Sequence, residues 1–535
     1  MIPSMRFFTR LFRELDESNR TLSKVAAMRR YFEEVPPADA AWALWFLVGN
    51  RLPSMVRSRT LRAWAADLSG YPDWLVGDCY ERVGDLAETV ALLLPLAGKG
   101  TDEPLAAFVE NRILPLRDWD ESVRFQLMRS VWADLDREQA FIVHKLLTGG
   151  FRVGVSKALV VRALADCFGV EKKVMAHRLS GKWTPDAAFF EALQSGEGAS
   201  DRRSQPYPFF LASPLKGDPE ELGDRSEWIA EWKWDGIRAQ IVRRGEEAFL
   251  WSRGDELVTD AFPEIAQAAA TLPDGTVLDG EILCWGDGRP LGFNALQTRL
   301  NRRKLTQEAL AENPAVFIAY DCIEWQDTDQ RDEPLVSRKT RLAEALRVIG
   351  AQGAIRPSPE VAAENWADLR QLWSGSRERG VEGFILKRRN SPYETGRVRG
   401  HWWKWKIDPF TADLVMVYAQ AGHGRRAGLF TDYTFAARHG DGFVPVAKAY
   451  SGLTNSEIRE VDRWIKANTL ARRGPVRTVP AQQVFEIAFE AIAPSSRHKS
   501  GLAVRFPRIL RWRKDKAPAD ADSLESLSAL ARVIH

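Results

Sequence analysis

Cysteine is scarce in this chain. Cys79, Cys167, Cys284 and Cys322 are the four among 535 residues, and no two stand at C-x2-C spacing. That excludes a clustered zinc module and a disulfide framework. Long apolar runs are lacking too. The run over 40–49 falls far short of the roughly 20 residues a membrane span needs, and Pro95 interrupts a similar run beginning at Val90. The N-terminus carries Arg6, Arg10 and Arg13, then turns acidic at Glu14, Asp16 and Glu17 without an apolar core, so no secretory signal is expected. A cytoplasmic, reducing compartment and no membrane partner are the expectation. An excess of one charge is also missing. Lys plus Arg number 75 against 72 Asp plus Glu, a net +3 that excludes a histone-like binder and leaves local clustering open.

What the chain does have is length, an ordinary globular composition and 20 tryptophans. At about 150 residues per domain, three or four domains are expected. Apolar residues recur at helical spacing up to about residue 196, as in Phe7, Leu11, Leu15 and in Leu159, Val160, Leu164, Cys167. An all-α domain over 1–200 follows. Residues 194–208, QSGEGASDRRSQPYP, have no apolar period and read as a linker. Over 208–408 short apolar runs alternate with helical patterns, which predicts an α+β domain. Strands are expected over 413–418, 433–437, 443–449 and 484–489, with Asp441-Gly442 as a hairpin turn. They predict a small β-barrel over 409–520, followed by a tail over 521–535.

Chemistry concentrates in an ordered series of motifs. The first is Glu231-Trp-Lys233-Trp-Asp235-Gly236-Ile-Arg238. A lone K-x-D-G arises by chance in roughly one chain in ten of this length, so it decides nothing by itself. It is followed by Ser252-Arg253-Gly254 with Thr259, Leu278-Asp279-Gly280-Glu281-Ile282, Phe317 with Asp321, Glu382-Gly383-Phe384-Ile385-Leu386-Lys387, and Trp403-Lys404-Trp405-Lys406. Arg505-Phe-Pro-Arg508 then precedes Arg511, Arg513, Asp515 and Lys516. From Arg497 to Lys516 eight basic residues accompany one acid.

This series resembles the six nucleotidyltransferase motifs shared by ATP-dependent DNA ligases, RNA ligases and mRNA capping enzymes. Residues 146–166, LLTGGFRVGVSKALVVRALAD, are similar to the glycine-and-arginine turn of the DNA-binding domain in cellular ATP-dependent DNA ligases. The resemblance to DNA ligases therefore spans almost the whole chain. It implies a helical DNA-binding domain, an adenylation domain and a C-terminal OB-fold. It also implies nick sealing in DNA repair, recombination or replication, with ATP and Mg2+ (or Mn2+) as cofactors and a monomer acting on nicked duplex DNA. An RNA ligase or capping-type guanylyltransferase is the alternative within enzymes, and a non-catalytic nucleic-acid clamp the alternative outside them. Both enzyme alternatives are expected to lack the helical domain. A NAD-dependent ligase is disfavoured by the missing four-cysteine module.

Residue by residue, the resemblance implies that Lys233 attacks the α-phosphate of ATP and becomes covalently adenylated. A free lysine, with a pKa near 10.4, is neutral in only about one molecule in a thousand at neutral pH, so burial or neighbouring cations are expected to depress it. Arg238 and Arg253 are expected near ribose and phosphate, Lys404 and Lys406 at the α-phosphate, Arg399 near the same pocket, and Glu231 at the adenine. The interval from Arg399 to Lys404 is one residue shorter than relatives suggest. Phe317 is expected to stack on the base, and Glu281 and Glu382 to bind nucleotide and metal, as oxygen donors suit Mg2+. Asp235 is open between a structural and a catalytic role, and Asp279 reads equally as a turn residue. Arg505, Arg508, Arg511, Arg513, Asp515 and Lys516 are expected to orient the leaving pyrophosphate. Arg152, beside Gly149 and Gly150, is expected to meet DNA phosphates.

Overall fold

Alternation of tryptophan with charge in WKW and WWKWK becomes, in the computed structural model, two strands whose side chains sort to opposite faces. The structure describes all residues except 1–3, 19, 84, 150, 152, 196–203, 301, 303, 304, 350–352, 423–427, 474, 475, 497 and 535. Its contacts divide the chain into two units, which cut across the boundary expected near residue 200. One is Thr21–Leu44 with Ser156–Ile407, and the other is Met1–Arg20, Trp45–Val155 and Asp408–His535.

The first of these units holds eleven described strands: β1 (Ser213–Pro214), β2 (Trp228–Trp234), β3 (Ile237–Arg244), β4 (Glu247–Ser252), β5 (Thr276–Gly286), β6 (Arg289–Pro290), β7 (Ala315–Trp325), β8 (Thr328–Asp329), β9 (Ile355–Pro357), β10 (Val381–Arg388) and β11 (Trp402–Lys406). They form one sheet in the order β1-β11-β10-β2 and a second in the order β4-β3-β5-β7-β8, with β6 on β5 and β9 on β7. On the back of the first sheet Trp228, Phe384 and Trp405 are buried with Trp366 and Leu369 of the helix Trp366–Ser374, and Trp232 and Trp403 pack against them. That layer accounts for much of the tryptophan. One face of the second sheet, including Ile241, Leu278, Ile282, Phe317 and Ala319, packs on the helices Pro263–Ala269, Phe293–Leu300 and Leu335–Leu346. The end of the expected linker is anchored: Tyr207 is buried, stacks on His177 at 4.3 Å and donates a 2.6 Å hydrogen bond to Glu324.

In the other unit the helix Met5–Glu17 buries Phe8, Leu11, Phe12 and Leu15, and Phe8 stacks on Phe151 at 5.4 Å. Asp136 caps the helix Arg137–Thr148 at its start, and Gly149, at φ +66°, ends it in the left-handed conformation. The β domain contains β12 (Phe410–Ala421), β13 (Phe430–His439), β14 (Gly442–Ala449), β15 (Ala471–Arg473), β16 (Val476–Thr478), β17 (Val484–Phe489), β18 (Ala491–Pro494), β19 (Leu502–Arg505) and β20 (Arg508–Trp512). The main sheet runs β14-β13-β12-β16-β15, with β17 bridging β12 and β20. The segment expected as a tail forms the helix Leu524–Ile534, whose Leu527 and Ala531 are buried in the core of this β domain.

Candidate active site

The chain leaves the first sheet at the end of β2 and enters the second at β3, and Lys233, Asp235, Gly236 and Arg238 occupy that passage. Gly236 is required by close approach. A Cβ there would lie 2.3 Å from the Ile282 carbonyl oxygen and 2.9 Å from the Glu281 Cγ. The Lys233 ammonium pairs with Glu382, whose other oxygen lies 3.4 Å from the Lys406 Nζ. A bulge in β10 brings Glu382 there. Val381 faces Trp234 and Phe384 faces Trp232, so Glu382 and Gly383 together oppose the single residue Lys233. Gly383 adopts φ +114°, and a Cβ on it would stand 2.2 Å from the Trp405 carbonyl oxygen.

On the second sheet Arg238 and Glu281 are paired in register across β3 and β5. Asp279, fully buried, accepts 2.7 and 3.2 Å hydrogen bonds from the Arg238 guanidinium and one of 2.7 Å from the Tyr393 hydroxyl. It is a strand residue that fixes Arg238, a role the motif alone did not reveal. Burial opposes the arginine's charge, but Asp279 outweighs it and holds the pKa well above the usual value. The guanidinium also lies 5.2, 5.7 and 5.9 Å from the ring centres of Phe209, Tyr320 and Trp402. Burial pushes the Glu281 carboxyl up to about 7, against the pull of Lys233 and Arg238 and with the push of Asp279 and Asp235. Lys404 is depressed by burial and then by the charges of Arg397, Lys233 and Lys406. Lys233, Lys404, Lys406 and Arg238 thus converge, with Glu382 and Asp279 holding Lys233 and Arg238 in place, and the cluster is suited to a polyphosphate.

Three expected placements change. Phe317 is wholly buried on the helix-packed face, where a Cβ at Gly280 would stand 2.4 Å from its ring. It is a core residue, not a base platform. The aromatic on the other side is Tyr320, which sits at a bulge: Asp279 pairs with Asp321 but Gly280 with Ala319, leaving Tyr320 extra. Its ring lies 4.1 Å from the Lys387 ammonium. The Tyr320-Asp321 pair in the motif was the available signal, and Tyr320, three residues from Phe317, falls on the opposite face of the strand. Arg399 is exposed on the turn before β11, and Arg397 is the arginine whose charge reaches Lys404. Glu231 is buried, with its carboxylate taken up by Lys339 and by Lys387 at 2.6 Å. Arg253 is exposed, its amide donating to the Arg238 carbonyl at 2.9 Å.

The C-terminal motif lies in the other unit. Its basic excess is largely paired by acids distant in sequence. Arg508 meets Glu490 at 2.8 Å, Arg511 meets Glu486, Arg513 meets Asp413 at 3.2 Å and Asp515 at 2.8 Å, and Lys516 also meets Asp413. The hydrogen bond from Arg513 lowers the Asp515 carboxyl to about 2. Arg505 lies 5.1 Å from the ring centre of Phe506. Arg152 falls outside the described residues.

Glu281 and Glu382 are half-buried hard oxygen donors on either side of Lys233 in the charge network. Among the described residues no group of three or more His, Cys, Asp and Glu side chains could hold a metal. Two carboxylates as oxygen donors beside a phosphate-binding cluster fit Mg2+, which takes one or two carboxylates and completes its shell with substrate phosphates and water.

The chain matches three protein families: DNA ligase N terminus over residues 4–165, ATP dependent DNA ligase domain over 209–406, and ATP dependent DNA ligase C terminal region over 426–516. A probable DNA ligase of Koribacter versatilis is 31% identical over 553 residues, spanning 96% of this chain and 94% of that protein. The chain belongs to the ATP-dependent DNA ligase family. A DNA ligase of Thermococcus fumicolans is 26% identical, with 97% of each chain covered. The solved structure Pmar-Lig_PreS3 shares the fold with a TM-score of 0.61 at 14% identity, over 95% of this ligase and 99% of that chain. The ligase is thus a three-domain enzyme that uses ATP and acts on DNA, as expected from its motifs. Among its described residues no helix is long and apolar enough to cross a membrane.

Proposed function

We propose that the ligase, as a monomer with domain limits near residues 200 and 408, seals nicks in duplex DNA through adenylation of Lys233. The observation that carries this reading is the Lys233–Glu382 pair set among Lys404, Lys406, Arg238 and Glu281. The Lys233 amine, once deprotonated, attacks the α-phosphorus of ATP. A phosphorus–nitrogen bond forms, the bond to the bridging oxygen breaks, and pyrophosphate leaves. A 5′-phosphate oxygen at the nick then takes the AMP and returns the amine. The 3′-hydroxyl finally attacks the 5′-phosphorus and expels AMP.

Lys404 and Lys406 offset the charge that gathers on the α-phosphate, Arg238 is held for the nucleotide by Asp279, and Arg253 and Arg397 extend the same positive field. Tyr320 supplies the base platform. Glu281 and Glu382 would hold Mg2+, which supplies charge neutralisation at the phosphates when bound. Arg505, in the C-terminal motif, is assigned to the leaving pyrophosphate, and Arg152 to DNA phosphates. Asp235 shapes the turn beside Glu281.

The test is incubation with α-labelled ATP followed by sealing of a nicked duplex. Parent protein is expected to take a covalent label and seal. Lys233→Ala is expected to take none, yet to retain some sealing of a nick supplied already adenylated. Label on Lys233→Ala would overturn the assignment.

A further inference from the structure

The short strand β9 runs parallel to β7, with Phe317 facing Ile355, Ile318 facing Arg356 and Ala319 facing Pro357. Ile355 joins Phe317 in the helix-packed core, and Arg356 is on the opposite face, 5.3 Å from the Trp285 ring centre. Continued alternation brings residue 358 to that opposite face, the one carrying Glu281. Residue 358 is a serine. Its amide donates to the Ala319 carbonyl at 2.6 Å, immediately before the bulged Tyr320. Two residues later Glu360 bridges to Glu231, and the Val361 amide donates to the Ala230 carbonyl at 2.8 Å. Ser358 therefore stands where the two sheets are stitched together, between Tyr320 and Glu231.

Ser358 is 5% exposed, and its hydroxyl has no hydrogen-bond partner among the described residues. Burying a hydroxyl in this way costs about 1–3 kcal/mol, which a purely structural position would avoid with alanine. Ser213, also buried with an unpaired hydroxyl, is different: it pairs in register with Trp403, whose ring packs in the tryptophan layer on the face opposite the Lys404 side chain. The hydroxyl of Ser358 can both donate to a ring nitrogen and accept from an exocyclic amine.

We propose that Ser358 is a nucleotide-binding residue whose hydroxyl hydrogen-bonds the purine edge of ATP when the base lies on Tyr320. This rests on the reading of Lys233 and Tyr320 given above. The experiment measures self-adenylation against ATP concentration, and thermal unfolding without nucleotide, for parent and Ser358→Ala. The expected result is a KM for ATP raised about tenfold, the value of one hydrogen bond, with the maximal rate changed less than twofold. The unfolding temperature should stay level or rise, because the alanine removes an unpaired buried hydroxyl. A KM within twofold of the parent, or an unfolding temperature lowered by several degrees, overturns the proposal. Failure of the underlying reading is distinguishable, because it shows as label on Lys233→Ala whatever Ser358 does.

Discussion

At the scale of single residues, two aromatics three positions apart do opposite work. Phe317 fills the space above Gly280, so Phe317→Ala should cost about 3–5 kcal/mol of stability, read as a lowered unfolding temperature. Tyr320→Ala should leave stability nearly intact and raise the KM for ATP about tenfold or more, since stacking on a base contributes roughly 1–3 kcal/mol. Equal effects on stability from both would contradict the assignment of faces. His144 is a residue with a structural task. It is buried, its Nε2 accepts a 2.8 Å bond from the Trp132 indole, and its Nδ1 lies 3.2 Å from the Ala87 carbonyl. That pattern needs the neutral ring with its proton on Nδ1. Burial lowers its pKa from 6.5 to about 4, only partly offset by the Ala87 carbonyl. Because the folded value is the lower one, the unfolded chain gains the proton first as pH falls. The stability His144 contributes is complete above about pH 6.5 and is lost progressively down to about pH 4, on the order of 3 kcal/mol. Unfolding temperature followed across that window should fall, and His144→Gln should flatten this part of the fall.

At the scale of elements, the bulge in β10 links the sequence to the chemistry. Gly383→Ala would combine a left-handed backbone with a contact against the Trp405 carbonyl, forcing β10 and β11 apart. Lys404 and Lys406 stand on β11 and Glu382 on the bulge, so covalent labelling by ATP should drop by at least about tenfold, with a lowered unfolding temperature. Normal labelling by this variant would show that the bulge is dispensable. Elements also mark what could be read beforehand. Residues contiguous in a motif, such as Lys233 with Gly236 or Lys404 with Lys406, were legible because strand geometry alone relates them. Tyr320 was not, because Phe317 and Tyr320 are both aromatics just before Asp321, and only burial shows which of them lies in the core. The pairing of Arg508, Arg511, Arg513 and Lys516 was hidden for another reason: their acids, Glu490, Glu486 and Asp413, come from other parts of the β domain. Asp279 was ambiguous because a buried acid and a turn acid look alike until the partner is seen.

At the scale of the whole molecule, fold class was legible from periodicity, since helical spacing, mixed texture and short strands succeed one another along the chain. Grouping was less so. Residues 21–44 belong with Ser156–Ile407 although they lie far away in sequence, and the last helix completes a core that begins more than a hundred residues earlier. Such long-range returns leave no local trace. The tryptophan layer has a further consequence. Trp232 and Trp234 adjoin Lys233 in the chain, and Trp405 separates Lys404 from Lys406 while stacking on Trp373 at 5.1 Å. The indoles and the lysines alternate along the same strands, so intrinsic tryptophan fluorescence is expected to change when ATP is added to the parent protein.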